Sequence, residues 1–277
     1  MIDLHLHTTA SDGLFEPAAL VDLAWRAGIR TMSVTDHDTV AGLPEAAHAA
    51  ASSGIAFVPG IEITAVHEGR DVHVLGYFIE TQAPGFDAFL EEQRADRVRR
   101  LSAIVDRLAE LGKPVNRGEV LASRPPGQAL GRPLIAKALV KAGHAADVRE
   151  AFDRFIGDRK PAFVPRKGPT PAEVIAIIGR AGGLASLAHP GLLKRDDLIP
   201  GMIDAGLTAV EAFHSEHDTP TTERYLDFAA RHGILVSGGS DYHGEKERRR
   251  TSFGTVGLPR DRFDMLKARV ARVTKDG

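Results

Sequence analysis

The chain has 277 residues, no cysteine, and a formal charge of −2 from 35 basic and 37 acidic side chains. This length suits one large α/β domain or a domain with an inserted subdomain, and the balanced charge argues against binding duplex DNA by bulk electrostatics. The lack of cysteine excludes disulfides, thiolate metal ligands and cysteine nucleophiles, so His, Asp and Glu remain as candidate metal ligands.

Residues 1–7 predict the first strand, with Asp3, His5 and His7 alternating with apolar side chains. Because side chains alternate between the faces of a strand, one face is apolar and the other carries the acid and the two imidazoles. Both imidazoles can reach one divalent cation, and Asp12, beyond a short turn, can supply an oxygen to it or to a neighbouring ion. The alternative is an amphipathic edge strand whose histidines face water.

The next segments alternate between helix and strand. Apolar spacing and helix-ending glycines predict, in chain order, a helix over 17–27, a strand over 31–35, a helix over 43–52 and a strand over 56–58. Such alternation predicts a parallel sheet, in which functional residues gather at the carboxyl ends of the strands. His7, His37 and Glu62 follow three of these strands. His73 lies inside a fourth strand over 71–78, where a lone histidine is more often a hydrogen-bonded core residue.

The strand pattern stops near residue 85. Helices are predicted over 86–111, 134–141 and 147–155. We expect residues 93–168, which are locally basic, to form a helical insertion that caps a barrel made of residues 1–92 and 169–277. Most arginines between positions 94 and 107 are interpreted as solvated surface. Loop residues near the ends of the insertion are better candidates for facing a site, and these are Arg132, Arg159, Lys160, Arg166 and Lys167.

The alternation of strands and helices resumes after the insertion. Thr170, Pro171 and Glu173 have the spacing of a capping box with proline at the first helical position, which predicts a helix up to about residue 181. Later segments predict strands over 183–188, 209–213 and 234–237 and a helix over 219–231. The whole pattern predicts seven strands that one insertion interrupts.

Histidines and carboxylates recur at the ends of nearly all of these strands, which chance does not readily produce. They are too many for one tetrahedral zinc ion and suit two or three divalent ions with carboxylates as bridges. The candidate ligands are His5, His7, Asp12, His37, Glu62, His73, His189, Asp241 and His243. His214 and His217, at the end of the sixth strand, are expected either to contact the substrate or to support the ligands.

The chain resembles the PHP (polymerase and histidinol phosphatase) family over almost its whole length. The motifs are Asp3-Leu4-His5-Leu6-His7, Thr35-Asp36-His37-Asp38, Gly60-Ile61-Glu62, His73-Val74-Leu75-Gly76-Tyr77, Ala188-His189-Pro190 and Gly239-Ser240-Asp241-Tyr242-His243. The resemblance implies a distorted seven-stranded (β/α)7 barrel with a trinuclear metal centre. It also implies a ligand assignment: His5, His7 and Asp241 for one ion, Asp12, His37 and His243 for a second, His73 and His189 for a third, and Glu62 bridging the first and third.

The helical insertion is similar to that of bacterial phosphoesterases that take the 3′-phosphate from 3′,5′-bisphosphonucleotides or trim short RNA from its 5′ end. The resemblance implies a metal-dependent phosphoesterase in which the ions activate water. Basic residues of the insertion are expected to hold a second phosphate, and Arg132 is the first candidate, because its planar guanidinium group suits phosphate and it lies between Gly131 and Pro133 in a predicted loop. Mn²⁺ is the expected ion, and Fe²⁺ and Zn²⁺ also suit nitrogen and oxygen ligands. The residues expected to act in catalysis are Asp12, His37, Glu62, Asp241 and His243, and those expected to bind substrate are Arg132, Arg159, Lys160, His214 and His217.

Two alternatives stay open at this point. One is a phosphatase for a small metabolite such as histidinol phosphate, and the other is a non-catalytic PHP module that binds metal within a polymerase assembly. The sequence has no signal-peptide pattern and no apolar run long enough for a membrane span. We therefore expect a cytoplasmic protein that binds neither membranes nor duplex DNA, while the exact substrate and the oligomeric state are left open.

Overall fold

The computed structural model describes residues 1–123, 131–244 and 253–276, with side chains described as far as residue 271. Within these ranges, seven strands form one sheet whose spatial order follows the chain. The strands are β1 (Ile2–Asp3), β2 (Thr31–Val34), β3 (Ala56–His67), β4 (Arg70–Tyr77), β5 (Leu184–Leu187), β6 (Ala209–His214) and β7 (Leu235–Gly239).

The sheet curls into a nearly closed barrel. After β1, the backbone N–H of Leu4 donates to the carbonyl oxygen of Gly238 at 3.2 Å. Further along the same two segments, the backbone N–H of Asp241 donates to the carbonyl oxygen of His5 at 2.8 Å. These bonds join the segment after β1 to the end of β7, so the predicted distorted seven-stranded barrel is confirmed.

One strand runs against the direction that the sequence predicts. β1, β2 and β3 are parallel, as are β5, β6 and β7, but β4 is antiparallel to both of its neighbours. The prediction of a parallel sheet is therefore wrong at β4. A tight turn at Glu68 and Gly69, both with positive φ angles, joins β3 to β4 without the crossover helix that a parallel pair needs. The reversal brings the first half of β4, with His73, to the edge where the parallel strands end.

β3 is also longer than the predicted run over 56–58 and continues to His67. Glu62 thus lies within a strand, where it pairs with Leu75. Thr64, two residues further along on the same face, pairs with His73. The Glu62 carboxylate therefore lies beside the ring of His73 and not at a free strand end.

Helices surround the barrel and build the insertion. They are α1 (Pro17–Arg26), α2 (Leu43–Ser53), α3 (Phe86–Glu110), α4 (Arg117–Ala122), α5 (Arg132–Lys141), α6 (Val148–Ala151), α7 (Pro171–Arg180), α8 (Pro190–Leu193), α9 (Ile199–Asp204), α10 (Thr219–His232) and α11 (Arg260–Asp276). The predicted helices that became α1, α2, α3, α5, α7 and α10 are confirmed. The sequence pattern does not predict α4, α8, α9 or α11, and the helix predicted over 147–155 is α6 followed by a π-helical turn at Phe152–Ile156.

Two separate hydrophobic cores divide the molecule. The larger core lies around the barrel strands and includes the fully buried Leu4, Ile61 and Leu187. The smaller core lies inside the insertion, between Leu101 and Ala162. The cap, as we call residues 93–168, thus contains its own core, and its exact boundaries stay a prediction. No helix in the described part of the chain is long and apolar enough to cross a membrane.

Candidate metal centre

The predicted ligands converge at one end of the barrel. Three overlapping groups offer ligand atoms that all lie within 4.8 Å of one another in each group. The groups are His7, Asp12, His37 and His243; His5, His7 and Asp241; and His37, Glu62 and His73. Since ligand bonds to divalent ions are about 2.0–2.6 Å long, side chains this close can share cations.

Glu62 lies at the centre of the cluster and is fully buried. Its Oε2 lies 3.4 Å from Nε2 of both His5 and His7 and 3.1 Å from Nδ1 of His37. Its Oε1 lies 2.9 Å from Nδ1 of His73 and 3.2 Å from Nε2 of His189, which brings the last predicted ligand into the cluster. The two oxygens therefore face different imidazoles, as a carboxylate that bridges two ions requires.

Asp241 and Asp12 occupy the other side of the cluster. Asp241 Oδ1 lies 3.2 Å from Nε2 of His7 and 3.4 Å from Nδ1 of His243. Asp12 Oδ1 lies 3.3 Å from Nε2 of His243, and its Oδ2 lies 3.8 Å from Nε2 of His37. Asp241 has a left-handed φ of 53°, which is costly for a non-glycine residue and typical of functional sites.

The buried ring nitrogens test whether these residues fit metal ions. Both nitrogens of His7 and Nδ1 of His37 are buried and form no hydrogen bond within the described part of the chain. Buried polar atoms are normally hydrogen-bonded, so such nitrogens beside carboxylates are suited to bind a cation. Because every candidate donor is an imidazole nitrogen or a carboxylate oxygen, the cluster fits divalent cations of the Mn²⁺, Fe²⁺ or Zn²⁺ type.

The electrostatics favour metal-binding forms at two members of the cluster, His37 and Glu62. Burial lowers the pKa of His37 to about 3, despite the neighbouring carboxylates of Glu62 and Asp12. Burial alone would raise the pKa of Glu62, but the surrounding imidazoles, His37 first among them, hold it well below its usual range. A neutral imidazole and an ionised carboxylate are the forms that bind a cation. At His5, His73 and His243, burial lowers the pKa, but neighbouring carboxylates outweigh it and raise the pKa above its usual value.

Glu211 is a member of the site that the sequence reasoning missed. It lies fully buried on β6, where its Oε1 is 2.9 Å from Nδ1 of His5 and its Oε2 accepts the backbone N–H of His189 at 2.7 Å. A carboxylate on Nδ1 fixes the tautomer and orientation of His5, so that Nε2 faces the cluster. An isolated acid within the apolar strand sequence Ala209-Val210-Glu211-Ala212-Phe213 was the signal that could have revealed it.

His214 and His217 have protein partners at both ring nitrogens. His214 accepts the N–H of Glu216 at Nδ1, and its Nε2 lies 3.3 Å from Asp241 Oδ2. His217 accepts the N–H of Gly191 at Nε2 and donates from Nδ1 to the carbonyl oxygen of Ala212. Of the two roles that the sequence leaves open for these rings, this arrangement favours the supporting one.

A cavity of about 300 Å³ lies between the metal-ligand cluster and the cap. Asp12, His37 and His73 line its barrel side. The cap and its connections contribute apolar side chains and four arginines, which are Leu101, Ile104, Ile135, Phe152, Arg97, Arg100, Arg132 and Arg166. Residues of the cap therefore face the cluster across the cavity and give it a positively charged wall.

The predicted basic residues fall into two groups. Arg132 lines the cavity, where its Nη1 donates to Asp158 Oδ1 at 2.7 Å and to the carbonyl oxygen of Ile156 at 3.3 Å. Arg159 and Lys160 are exposed and do not line it. Because their side chains face solvent in a turn, the structure favours Arg132 over these two as a residue that binds substrate.

Asp38 connects the barrel to the cap beside the cluster. Its Oδ1 accepts the backbone N–H of Thr64 at 2.8 Å, and its Oδ2 accepts from Arg97 Nε at 2.7 Å and from Arg166 Nη2 at 3.0 Å. Burial alone would raise the pKa of Asp38, but the two guanidinium groups outweigh it and hold the pKa at about 2. Arg97 is thus an exception among the arginines of α3 that were interpreted as solvated surface, since its side chain is only 14% exposed.

A cluster of imidazoles and carboxylates that can bind several cations, facing a cavity with guanidinium groups, defines a class of protein. Such an arrangement stabilises the charges of a phosphoryl group during hydrolysis, because cations and guanidinium groups both bind its oxygens. The geometry is therefore that of a metal-dependent hydrolase of phosphate esters.

Comparison with known proteins agrees with this class. Residues 3–125 match the PHP domain. The 5′-3′ exoribonuclease Rnm of Salmonella typhimurium is 34% identical over 250 residues, which cover 87% of this chain and 84% of that protein. The 3′,5′-nucleoside bisphosphate phosphatase of Chromobacterium violaceum is 32% identical over 284 residues, which cover 98% of both proteins. A solved structure from Bifidobacterium adolescentis, described as a metal-dependent phosphoesterase, has a TM-score of 0.85 at 34% identity and covers 96% of this chain and 95% of that one.

The chain belongs to the PHP family of metal-dependent phosphoesterases. The predicted family and the predicted class of enzyme are confirmed. The complete set of candidate ligands and the relatives named as enzymes favour a catalyst over a non-catalytic metal-binding module.

Proposed function

We propose that this enzyme removes the 3′-phosphate from 3′,5′-bisphosphonucleotides. The observation that carries the proposal is the cavity, which has candidate metal ligands on one side and arginines with apolar cap residues on the other. A ribose with two phosphates suits such a cavity, because ions can bind one phosphate while a guanidinium group binds the other. The similarity over 98% of both chains to the Chromobacterium violaceum phosphatase supports the same substrate class.

The reaction is the hydrolysis of one ester bond. When bound, the divalent ions would activate a water molecule and neutralise charge on the phosphoryl oxygens. The water oxygen bonds to phosphorus as the bond between phosphorus and the ribose 3′-oxygen breaks. One proton of water goes to the leaving oxygen and the other stays with the phosphate, so the products are a 5′-nucleotide and inorganic phosphate.

The residues of the chain would divide the work by position. Asp12 and His37 line the cavity, so with His243 they would hold the ion that is nearest the substrate. Glu62 would bridge two ions, because its oxygens face imidazoles on different sides. Asp241 would share the ion of His5 and His7. The cap would limit the access of bulk water, which strengthens charge interactions inside the cavity.

We propose two or three ions, with Mn²⁺ as the resident metal. Three overlapping ligand groups support up to three ions, and donors limited to nitrogen and oxygen suit Mn²⁺ as well as Fe²⁺ and Zn²⁺. Elemental analysis of the purified protein, followed by chelation and addition of each ion singly, would identify the metal that restores most activity. Full activity with fewer than two ions per chain would contradict the proposal.

Two other substrates rank lower. The similarity to Rnm favours short RNA, although a cavity of about 300 Å³ would hold little more than one terminal nucleotide. A small monoester such as histidinol phosphate could use the same ions but has no second phosphate for Arg132 to bind. Phosphate release from 3′,5′-bisphosphonucleotides, 5′-phosphorylated oligoribonucleotides and histidinol phosphate would rank them directly, and a preference for either alternative would refute the proposal.

Arg132→Ala tests the role of the cap in this proposal. Arg132 would bind the phosphate that is not cleaved, in the ground state as well as the transition state, so its loss should chiefly raise KM. Loss of one charge-assisted hydrogen bond should lower kcat/KM on a bisphosphonucleotide by about ten- to a hundredfold. Turnover of a 3′-mononucleotide should be nearly normal.

Lys160→Ala is the matched control, since Lys160 is a basic residue of the cap that does not line the cavity. This variant should behave like the wild type on both substrates. An equal loss on both substrates in Arg132→Ala would contradict the proposed contact, because it would mean that Arg132 acts on the reacting phosphate or on the metal centre.

A further inference from the structure

The arginines that line the cavity are not equivalent. Arg132 lies in the cap and is bonded to Asp158, whereas Arg97 and Arg166 share one oxygen of Asp38 on the barrel side. Asp38 directly follows the candidate ligand His37 in the chain. The charged wall therefore has two parts, one beside the metal centre and one further into the cap.

The position of the first part follows from the sheet. Arg97 Nη2 donates to Thr64 Oγ1 at 3.2 Å, and Thr64 is the strand partner of His73. The guanidinium groups of Arg97 and Arg166 thus lie next to residues that adjoin His37 and His73. These two histidines belong to the cluster and line the same cavity.

Arg166 has donors that its protein partners leave unused. Only 7% of its surface is exposed, and its Nη2 donates to Asp38 Oδ2 at 3.0 Å. Its Nε is buried and has no hydrogen-bond partner among the described residues, and its Nη1 lies 4.0 Å from Asp71 Oδ2, beyond hydrogen-bond distance. A buried guanidinium group with unsatisfied donors at the wall of a cavity is suited to an anion that enters the cavity.

The charge balance agrees with this interpretation. Four arginines line the cavity, and the carboxylates beside them, outside the metal-ligand cluster, are Asp38 and Asp71. A third carboxylate, Asp158, faces Arg132 at the cap. Among the described residues, one of the four positive charges therefore lacks a carboxylate counterpart on that wall. An anionic group beside His37 and His73 would supply the missing charge.

We propose that Arg166, together with Arg97 and oriented by Asp38, binds the reacting phosphoryl group. The inference rests on the proposed function only in that the reacting group is a phosphate ester. It differs from the role of Arg132, which would bind the phosphate that is not cleaved. Contacts that strengthen as charge develops on the phosphoryl oxygens act on kcat, whereas contacts made equally in both states act on KM.

Arg166→Lys in the metal-loaded, full-length enzyme tests the proposal, because lysine keeps the charge but not the planar fork. We expect kcat to fall by about ten- to a hundredfold, and by the same factor on a 3′,5′-bisphosphonucleotide and on a 3′-mononucleotide. In calorimetric titration with inorganic phosphate, the Kd of the variant should rise by about tenfold. Arg97→Lys should show the same pattern and provides a second variant if Arg166→Lys folds poorly.

Arg99→Lys is the matched control, since Arg99 lies on the same helix as Arg97 but is 56% exposed and pairs with Glu92 and Asp96. It should leave kcat and the Kd for phosphate unchanged. A loss in Arg166→Lys that is confined to the bisphosphonucleotide would overturn the proposal, as would an unchanged Kd for phosphate in a variant that retains its metal. The titration stays informative even if bisphosphonucleotides prove not to be the substrate, so the two proposals can fail separately.

Discussion

In the barrel, the candidate ligands lie on strands or in the segments that directly follow them, and five imidazoles face the two oxygens of a single buried glutamate. In the cap, the side chains that line the cavity come from helices that pack on a separate, smaller core. The barrel therefore provides a rigid frame for chemistry, while the cap provides a surface that contacts the rest of the substrate. Changes in the barrel should affect catalysis on every substrate, and changes in the cap should affect the choice of substrate.

The two regions meet at Asp38. Arg97 comes from the first helix of the insertion and Arg166 from its final segment, and both donate to the same carboxylate. A single acid beside the metal centre thus holds both connections of the cap. We infer that the division between chemistry and recognition is least sharp at this point.

The largest effect should come from the barrel ligand that borders the cavity. Asp12→Asn replaces a carboxylate that faces His37 and His243, so it should weaken the nearest ion and lower kcat by orders of magnitude, with little change in fold. Steady-state kinetics with verified metal content would measure this loss. Asp22→Asn, at an exposed position of α1, is the control and should keep full activity. Near-normal turnover in Asp12→Asn would show that the ion beside the cavity is not needed.

Matched truncations in the two cores should separate the regions by stability. Leu139 in the cap and Leu187 in the barrel are both fully buried, and each Leu→Ala change should cost about 2–5 kcal/mol. Leu139→Ala should loosen the cap, so KM should rise while the metal content is retained. Leu187→Ala should destabilise the barrel and reduce metal binding as the protein unfolds. Thermal unfolding followed together with metal content would compare them, and a parallel loss of metal in both variants would mean that cap and barrel unfold as one unit.

A smaller effect is expected from the glutamate that orients the ligands. Glu211→Gln removes the charge that faces His5 Nδ1 while leaving a side chain of similar size, so it should weaken metal affinity by about ten- to a hundredfold. Competition with a chelator would measure that affinity independently of activity. Glu223→Gln, at an exposed position of α10, should have no effect. An unchanged metal affinity in Glu211→Gln would mean that the role of Glu211 is to accept the backbone N–H of His189 and not to orient His5.

The barrel ligands were predictable from sequence because their pattern is local. Most of the predicted strands are followed by a histidine or an acid, and strand alternation alone places His5 and His7 on one face. The antiparallel direction of β4 was not predicted, because it depends on the turn at Glu68 and Gly69 and not on the strand pattern. His73 nevertheless lies in the cluster, because the antiparallel β4 begins at the edge where β3 and β5 end.

The contacts of the cap were less predictable. On a long charged helix, Arg97 and Arg99 look alike in sequence, yet one is largely buried against Asp38 and the other is exposed. Only the packing of α3 on the barrel decides between them. Arg159 and Lys160 were chosen because they lie in loops, but loop position does not determine which way a side chain points.

The smallest predicted effect concerns the point where the chain returns from the cap to the barrel. Thr170 caps α7: its hydroxyl accepts the N–H of Glu173, and the Glu173 carboxylate accepts the N–H of Thr170 at 2.7 Å. Thr170→Ala should therefore cost about 1 kcal/mol of unfolding free energy without changing kcat, because an N-cap contributes about 0.5–2 kcal/mol. Asp218→Ala, which removes the N-cap side chain of α10, should cost a similar amount of unfolding free energy. Denaturant unfolding would compare the stability of the two variants. Of the two helices, only α7 directly follows residues 93–168 in the chain. A change in KM for Thr170→Ala alone would therefore mean that the start of α7 also positions that region.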